Sequence, residues 1–387
     1  MRTFEFILLI VVTILPFVKR KLASHIRPAY IILFLGILTA LHLFIEGYRW
    51  QMFPAYLLVL ILAWRILAVD AGKPVRLTFL RATGYLGISI LIILGWILPM
   101  VLPVFSLPEP GGPYSVGTTT IYVQTDREEV ITEDTTDKRE LLYKIWYPSD
   151  ADVTDIKSER YVDRGSRAGF AIKYGLPPVM LDYLDRVKTY VYPGIPVANE
   201  QFPVLIFSHG YGSMATGYYA LLTELASRGY VIINMNHTYE SLGVTFPDGR
   251  IKYFDYGYQG KISYESMKVI EPVIAAFKDG LDYEQRHPIV REAVKEYFEG
   301  GIQDRWAEDM TATLDLLEKW NADGLLKGKL DLDKTGVFGH SVGGGSAGKV
   351  AMLDTRVKAT ANQDGIQWGN MIDSAYHIPY LYISADW

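Results

Sequence analysis

Four stretches in the first third of the chain contain no Asp, Glu, Lys or Arg, and they restrict its fold more than any other feature. They cover residues 6–18, 28–45, 50–64 and 82–108. A helix that crosses a membrane needs about 20 largely apolar residues. We therefore predict an all-α transmembrane region of about four helices at residues 1–105. Its spans are predicted near 3–18, 28–46, 50–69 and 82–104.

The first of these spans has an alternative interpretation as a signal sequence. It contains Glu5 and Pro16, so it is the least regular of the four. A signal sequence ends in a cleavage site of small residues, whereas Lys19, Arg20 and Lys21 stand at that position here. Four spans are therefore preferred.

The charges of the short loops predict the orientation of this region. The loop after the first span carries Lys19, Arg20, Lys21 and Arg27, and the loop after the third carries Lys73, Arg76 and Arg81. The loop between the second and third spans has only Arg49. Because positive loops stay in the cytoplasm, both ends of the four-span region are predicted outside. The rest of the chain is then expected on the extracytoplasmic side of the cell membrane.

The remainder of the chain has the opposite charge. Residues 1–105 carry ten Lys/Arg and three Asp/Glu, a net charge of +7, whereas the whole chain has 38 and 43. Residues 106–387 therefore have 28 and 40, a net charge of −12. An acidic surface repels phosphates, which argues against a nucleic-acid partner. The chain has no cysteine, which excludes disulfides and thiolate metal sites.

Beyond a Pro- and Gly-rich linker at 106–117, strand and helix patterns alternate. Strands are predicted at 118–124, 141–146, 204–207, 230–236, 335–341, 358–364 and 378–384, and helices at 218–229 and 305–320. This alternation is typical of a mostly parallel, doubly wound α/β sheet, here over residues 118–387. The charged stretch 126–140 is expected to form a solvated hairpin. Residues 251–304 break the rhythm and are predicted to be an insertion, either a lid or a plain surface excursion.

The sequence Gly339-His340-Ser341-Val342-Gly343 matches G-x-S-x-G, with an apolar strand before it and a small-residue helix start after it. Such a turn exposes the serine hydroxyl and points the next backbone N–H at the same place. Ser341 is the predicted nucleophile and Val342 N–H one oxyanion donor, although a Gly-rich turn that only packs a helix on a strand remains the alternative. Tyr211 N–H, in the loop after strand 204–207, is the second donor, and His209 is expected to brace that loop.

Asp364 is the predicted acid, because it ends a strand and precedes a glycine. Asp386 also ends a strand, and Asp354 and Asp373 are weaker alternatives. In this fold the histidine base follows the last strand. His377 precedes strand 378–384 and so lies at the wrong end of the sheet. We therefore expect the base beyond residue 387 and interpret the chain as truncated at its C-terminus.

Several of these stretches together resemble the platelet-activating factor acetylhydrolase family of α/β-hydrolases, in its wider bacterial membership. They are PYSVG (113–117), RELLYKIWYP (139–148), FPVLIFSHGYG (202–212), NHTYES with FPDGR (236–250), the 305–317 helix and VFGHSVGG (337–344). The resemblance implies a serine esterase that removes short or oxidised acyl chains from glycerophospholipids without calcium. It gives Ser341, Asp364, Tyr211 and Val342 the roles already described. It implies no metal or cofactor, and a phospholipid ester at the membrane as substrate.

Two other functions stay open. The GHSVGGGSA stretch with the SHG loop also resembles cutinase-type polyester hydrolases, which lack the WYP and HTYE…FPDG stretches. A catalytically inactive hydrolase fold that serves as a membrane-bound binding protein is the other alternative. His237 and Glu240 could form half of a metal site, but a structural loop is favoured because no second ligand cluster accompanies them.

Overall fold

A computed structural model describes residues 1–18, 26–68 and 79–386, apart from the side chains of 79–81 and 370. The predicted loop charges Lys19, Arg20, Lys21, Lys73 and Arg76 lie outside the described residues. The chain divides into two compact units. Unit 1 comprises Met1–Ser106 and Val179–Val187, and unit 2 comprises Leu107–Pro178 and Lys188–Trp387.

Unit 1 consists mainly of apolar helices: α1 (Thr3–Ile14), α2 (Pro28–Leu41), α3 (Phe53–Ala68) and α4 (Phe79–Val101). Three stretches, Pro28–Glu46, Trp50–Ala68 and Ala82–Val101, are long and apolar enough to cross a membrane, whereas Thr3–Phe17 is shorter. Leu8, Leu35 and Leu58 are buried where the helices pack. Phe44 is 88% exposed and Leu67 73%. A helix that is apolar all round, with such exposed side chains, is typical of a membrane span.

A polar cluster fixes α1 against the end of α2. The Glu46 carboxylate accepts hydrogen bonds from the N–H groups of Phe4 (2.8 Å) and Glu5 (3.0 Å), at the N-terminus of α1. Helix N-termini leave such donors unpaired, so a carboxylate stabilises them. The His42 ring contacts the Glu46 carboxylate (3.0 Å) and the Tyr56 hydroxyl (2.7 Å).

Ligand atoms of Glu5, His42 and Glu46 in this cluster lie within 4.8 Å of one another, as in many metal sites. However, Glu5 is paired with the guanidinium groups of Arg2 and Arg49. Two positive charges next to the carboxylate oppose a cation, so we interpret the cluster as an ion-pair network.

The segment Val179–Val187 belongs to unit 1 although it lies far along the sequence, within the predicted α/β region. It is largely a 3₁₀ helix, Pro178–Arg186. The Trp50 indole donates a hydrogen bond to the Met180 carbonyl (2.8 Å), and the Arg186 guanidinium donates to the Glu46 carbonyl (3.2 Å). Leu181 and Tyr183 are buried.

Unit 2 contains an eight-stranded sheet. Its strands are β1 (Ser115–Glu128), β2 (Lys138–Ser149), β3 (Val191–Pro193), β4 (Phe202–Ser208), β5 (Val231–His237), β8 (Leu330–His340), β9 (Val357–Gln363) and β10 (Tyr380–Ile383). The order is β10-β9-β8-β4-β5-β2-β1-β3. The four neighbouring pairs among β10, β9, β8, β4 and β5 are parallel. A separate hairpin joins β6 (Gly243–Thr245) and β7 (Ile251–Tyr253). The predicted mostly parallel α/β sheet is confirmed.

Helices cover both faces of this sheet. Those that pack on its strands are α6 (Tyr219–Ser227), α9 (Ile302–Ala322) and α10 (Val342–Leu353). Unit 2 also contains α5 (Arg164–Lys173), which packs on the β6–β7 hairpin, and the paired helices α7 (Tyr256–Lys278) and α8 (Tyr283–Glu296). Ile206 and Ile233 pack with Met310 of α9 on one face, whereas Phe207 and Ile232 pack with Leu222 of α6 on the other. Side chains alternate between faces along a strand, so covering both faces requires continuous apolar runs such as 204–207. The predicted insertion at 251–304 contains β7, α7 and α8.

The sheet brings three loops to one edge. Ser208 at the end of β4 pairs with Gly339 of β8, and His340 at the end of β8 pairs with Gln363 of β9. The residues that follow these strands therefore meet at the carboxyl edge, which is where open α/β sheets bind ligands.

Candidate active site

Ser341 occupies a sharp turn between β8 and α10. Its backbone has φ +54° and ψ −124°, a conformation that a residue with a side chain rarely adopts. The N–H of Ser341 donates a hydrogen bond to the Gln363 carbonyl (2.9 Å), which ties the turn to the end of β9. This backbone presents the side chain at the carboxyl edge, as the G-x-S-x-G pattern predicts.

The glycines on either side of Ser341 are required by close packing. A Cβ on Gly339 would lie 2.4 Å from the Gly343 carbonyl carbon, and one on Gly343 would lie 2.3 Å from the Ser208 oxygen. No side chain fits at such distances, so both positions need glycine. The turn is thereby pressed against the end of β4.

The loop after β4 runs beside the candidate nucleophile. A Cβ placed on Gly210 would lie 3.4 Å from Ser341 Cβ. The Tyr211 side chain packs in one apolar cluster with Val342, Ile302, Trp306 and Trp368. The two residues predicted to supply oxyanion donors, Tyr211 and Val342, are thus neighbours.

The N–H groups of Tyr211 and Val342 donate no hydrogen bond to any acceptor in the part of the chain that the structure describes. Val342 is the first residue of α10, whose first N–H groups have no partner within the helix. Unpaired N–H groups beside a serine at a helix N-terminus form an anion-binding environment.

Asp364 follows β9 at the same edge, with φ +59°. Its Oδ1 accepts a hydrogen bond from the Ala385 N–H (2.9 Å), and its own N–H donates to the Ile383 carbonyl (2.7 Å). Its Oδ2 accepts no hydrogen bond from the described residues, so one oxygen is available to an imidazole. The loop is held by Asn362, whose amide bonds both the N–H and the carbonyl of Gly365.

The alternative acids differ from Asp364 in their contacts. Asp354 is paired with Arg356 (2.7 Å), and Asp373 is paired with Arg291. Both carboxylates therefore have structural partners. Asp386 is exposed beyond β10.

The hydrogen bonds of the described histidine rings go to groups other than Ser341. His340 bonds instead to the Tyr218 hydroxyl (2.7 Å), and His377 lies before β10, at the opposite edge from Asp364. His209 and His237 are fully buried, and His42 belongs to unit 1. The exposed His287 lies on α8. The geometry thus places Ser341, the N–H groups of Tyr211 and Val342, and Asp364 at the carboxyl edge of the sheet, and no described histidine is hydrogen-bonded to Ser341.

A buried charge network under this site was missed by the sequence analysis. Arg139, 1% exposed, donates to the carboxylates of Glu129 (3.0 Å), Glu240 (3.0 Å) and Asp309 (2.8 Å). Arg305 binds Glu240 as well. Arg139 belongs to the stretch 126–140, which was expected to be solvated, so its burial corrects that expectation. Only the neighbours contributed by the loop after β5 and by α9 could have revealed it.

These contacts also decide the alternatives for His237 and Glu240. The Glu240 carboxylate accepts from Arg139, from Arg305 and from the Trp306 indole (2.8 Å). His237 bonds to Asp309 and Ser208. Both side chains are therefore occupied by protein groups, which favours the structural interpretation over half of a metal site.

The two buried histidines predict a loss of stability in weak acid. Burial lowers the pKa of His209 to about 3, and it also lowers the pKa of His237. As the pH falls, these histidines are protonated in the unfolded chain before they are protonated in the folded one. The unfolding free energy that is present above pH ~6.5 is therefore lost progressively as the pH falls toward the folded pKa. From pH 7 to 5, we expect His209 alone to cost about 2 kcal/mol of unfolding free energy.

Urea unfolding followed by tryptophan fluorescence at several pH values measures this slope. Replacing His209 by Gln should reduce the slope, whereas replacing the exposed His287 by Gln should not. An unfolding free energy that is independent of pH between 7 and 5 would contradict the assignment of neutral buried histidines.

Comparison with known proteins adds a family to this geometry. Residues 101–384 match the family model described as platelet-activating factor acetylhydrolase, isoform II. The platelet-activating factor acetylhydrolase of Cavia porcellus is 26% identical over 304 residues, which are 73% of this chain and 61% of that protein. That of Canis lupus familiaris is 24% identical over 293 residues, 72% of this chain and 60% of that protein. The chain thus spans about 60% of the length of these curated relatives.

A solved structure gives the same class of fold. The ferulic acid esterase from Streptomyces cinnamoneus matches with a TM-score of 0.53 and 26% sequence identity. The match covers 73% of this chain and 68% of that chain. Both kinds of similarity are to proteins named for ester hydrolysis.

Proposed function

This chain belongs to the platelet-activating factor acetylhydrolase isoform II family. From that premise we propose that it is a serine carboxylic ester hydrolase that acts on short or oxidised acyl chains of phospholipids. The observation that carries the proposal is the strained Ser341 turn beside two unpaired N–H groups. A strained backbone at a half-buried serine in a G-x-S-x-G turn is typical of an activated nucleophile.

The proposed reaction is acyl transfer through a serine ester. Ser341 Oγ attacks the ester carbonyl while its proton passes to a histidine, and the N–H groups of Tyr211 and Val342 stabilise the oxyanion. Each such donor contributes about 3 kcal/mol to transition-state stabilisation. The histidine returns the proton to the leaving alcohol as the ester C–O bond breaks, and water then releases the acyl group by the same steps.

Asp364 orients the histidine in this mechanism through its available Oδ2 and stabilises the imidazolium that forms. The described histidines lie elsewhere, so the proposal assigns the base to a histidine outside the described residues. No metal or organic cofactor enters any step.

The preference for a short acyl group is supported by the side chains around the donors. Tyr211, Val342, Ile302, Trp306 and Trp368 form one packed apolar cluster. Such bulky, mostly rigid side chains favour a small acyl group next to the oxyanion donors.

In this proposal residues 1–105 anchor the protein in the membrane, and residues 118–387 form the hydrolase on the extracytoplasmic side. Support comes from the three apolar helices of unit 1 and from the loop charges in the sequence. Such a location gives the site access to membrane lipids.

Release of the acyl group from defined substrates tests the substrate class. The assay uses membranes from cells that produce the protein, in a buffer that contains EDTA. The substrate is phosphatidylcholine that carries either an acetyl or a palmitoyl group at the sn-2 position. We expect hydrolysis of the acetyl lipid at least roughly tenfold faster than of the palmitoyl lipid, because one misplaced methylene costs about 1–3 kcal/mol in a closed pocket.

Methyl ferulate and a soluble polyester oligomer serve as competing substrates in the same assay. Hydrolysis of either of these alone would instead support the alternative esterase functions. No hydrolysis of any ester, together with no labelling by a fluorophosphonate, would support the inactive binding protein.

A further inference from the structure

A buried Ser-His-Asp hydrogen-bond chain, separate from Ser341, lies next to the loop that carries Tyr211. Ser208 Oγ lies 2.8 Å from His237 Nε2, and His237 Nδ1 lies 2.7 Å from Asp309 Oδ2. Ser208 ends β4, His237 ends β5, and Asp309 belongs to α9. We call this the buried relay.

Burial excludes the buried relay as a second nucleophilic site. Ser208, His237 and Asp309 are each 0% exposed. The His237 ring also stacks flat on Trp306, with 3.8 Å between ring centroids and 6° between planes. No ester can reach the Ser208 hydroxyl, so a role of the relay must act through its neighbours.

The hydrogen-bond directions of the relay are fixed by charge. Asp309 is paired with Arg139 at 2.8 Å, and its pKa is held below the usual range by Arg139 and His237. An ionised Asp309 only accepts, so His237 Nδ1–H donates to it. Nε2 of the neutral ring is then an acceptor, and the Ser208 hydroxyl donates to it.

The relay is linked to the peptide bond between Gly210 and Tyr211. The backbone N–H of His237 donates to His209 Nε2 (3.4 Å), which leaves Nδ1–H of His209 to donate to the Gly210 carbonyl (2.8 Å). That carbonyl and the Tyr211 N–H belong to one planar trans peptide, in which they point in opposite directions. Holding the Gly210 oxygen therefore aims the Tyr211 N–H.

The other side of the relay contacts the nucleophile turn. A Cβ on Gly343 would lie only 2.3 Å from the Ser208 carbonyl oxygen. Trp306, which stacks on His237, packs with both Tyr211 and Val342. Trp306 thus connects the relay with both residues that supply the proposed oxyanion donors.

We infer that Ser208, His237 and Asp309 are positioning residues whose buried hydrogen-bond relay sets the orientation of the Tyr211 N–H in the oxyanion hole. This inference rests on the proposed function. A misaligned donor weakens transition-state binding more than substrate binding, so loss of the relay acts on kcat rather than KM.

Ser208→Ala removes only the relay's hydroxyl and tests the inference in the membrane-bound protein with p-nitrophenyl acetate. We expect kcat to fall about tenfold or more with KM changed by less than threefold. A trifluoromethyl ketone forms a tetrahedral oxyanion on the serine, so its Ki should rise in proportion. Ser208→Thr keeps the hydroxyl and should retain most of kcat.

Ser227→Ala is the matched control. Ser227 is also fully buried and hydrogen-bonded, to the Glu224 carbonyl and the Gly112 N–H, at the far end of α6. Its kcat and ketone Ki should equal those of the unmodified protein. If Ser208→Ala does not fold, Ser208→Cys, with a weak donor of similar size, decides by the same measurements.

Two results would overturn the inference. One is Ser208→Ala with unchanged kcat and ketone affinity in a protein whose unmodified form is active. The other is a loss of kcat that Ser227→Ala reproduces, or that accompanies an equal rise of KM, because both indicate general loosening of the fold. An unmodified protein without any esterase activity would instead refute the proposed function itself.

Discussion

Ser341→Ala is expected to abolish labelling by a fluorophosphonate probe and to lower ester hydrolysis by roughly 10⁴-fold or more. The reason is that Ser341, with φ +54°, stands at the N-terminus of α10 next to the loop that carries Tyr211. The probe bonds covalently to an activated serine, so labelled protein on a gel measures the effect directly, together with acetate release from the sn-2 acetyl lipid.

Ser374→Ala makes the same chemical change at an exposed serine and should leave labelling intact. Asp364→Asn should leave the serine in place but favour the wrong histidine tautomer, which costs about 10⁴-fold in kcat in a comparable triad. Labelling that persists in Ser341→Ala would show that another residue is the nucleophile. Full activity of Asp364→Asn would show that another carboxylate orients the histidine, and the exposed Asp386 would be the next residue to test.

Arg139→Met is expected to destabilise unit 2 by about 3–5 kcal/mol. It removes the guanidinium that binds Glu129, Glu240 and Asp309, and it leaves their carboxylates buried with fewer partners. Burying an unpaired charge is costly, whereas the apolar methionine itself fits a buried site. Urea unfolding followed by tryptophan fluorescence, to which the buried Trp306 beside Glu240 contributes, measures the change.

Arg250→Met is the matched control, because Arg250 also binds two carboxylates, of Glu140 and Asp248, but its side chain is 46% exposed. A surface pair of this kind contributes about 0–1 kcal/mol. Equal destabilisation by the two variants would contradict the structural role assigned to the buried network. Arg139→Lys should fall between them, since an ammonium group cannot bind three carboxylates in fixed directions.

The parts of this protein that were predictable from sequence are those determined by local patterns. The apolar run 204–207 and the G-x-S-x-G turn at Ser341 report strands and a sharp turn because period and glycine spacing are local constraints. The same holds for the apolar stretches that became α2, α3 and α4. The place of Asp364 at the end of a strand could be predicted because it follows an apolar run and precedes a glycine, whereas its role as the acid stays a prediction.

The rest depended on residues brought together from distant parts of the chain. Arg139 stands among charged residues, so a local pattern assigns it to solvent, and only Asp309 of α9 and Glu240 after β5 make it a core residue. The helices α7 and α8 were hidden because each contains a proline, Pro272 and Pro288, which normally marks a helix end. Likewise, nothing in the pattern of Val179–Val187 indicates that it belongs with the apolar helices.

That segment has a consequence for anyone who wants unit 2 without the apolar helices of unit 1. A gene cut after residue 106 looks natural from the hydropathy of the chain, but it divides unit 1. The shortened product would retain Leu181 and Tyr183, which are buried in the full chain, without the rest of the unit to which they belong. A soluble version therefore has to redesign this segment, for instance by polar replacements at these two positions, as well as delete the helices.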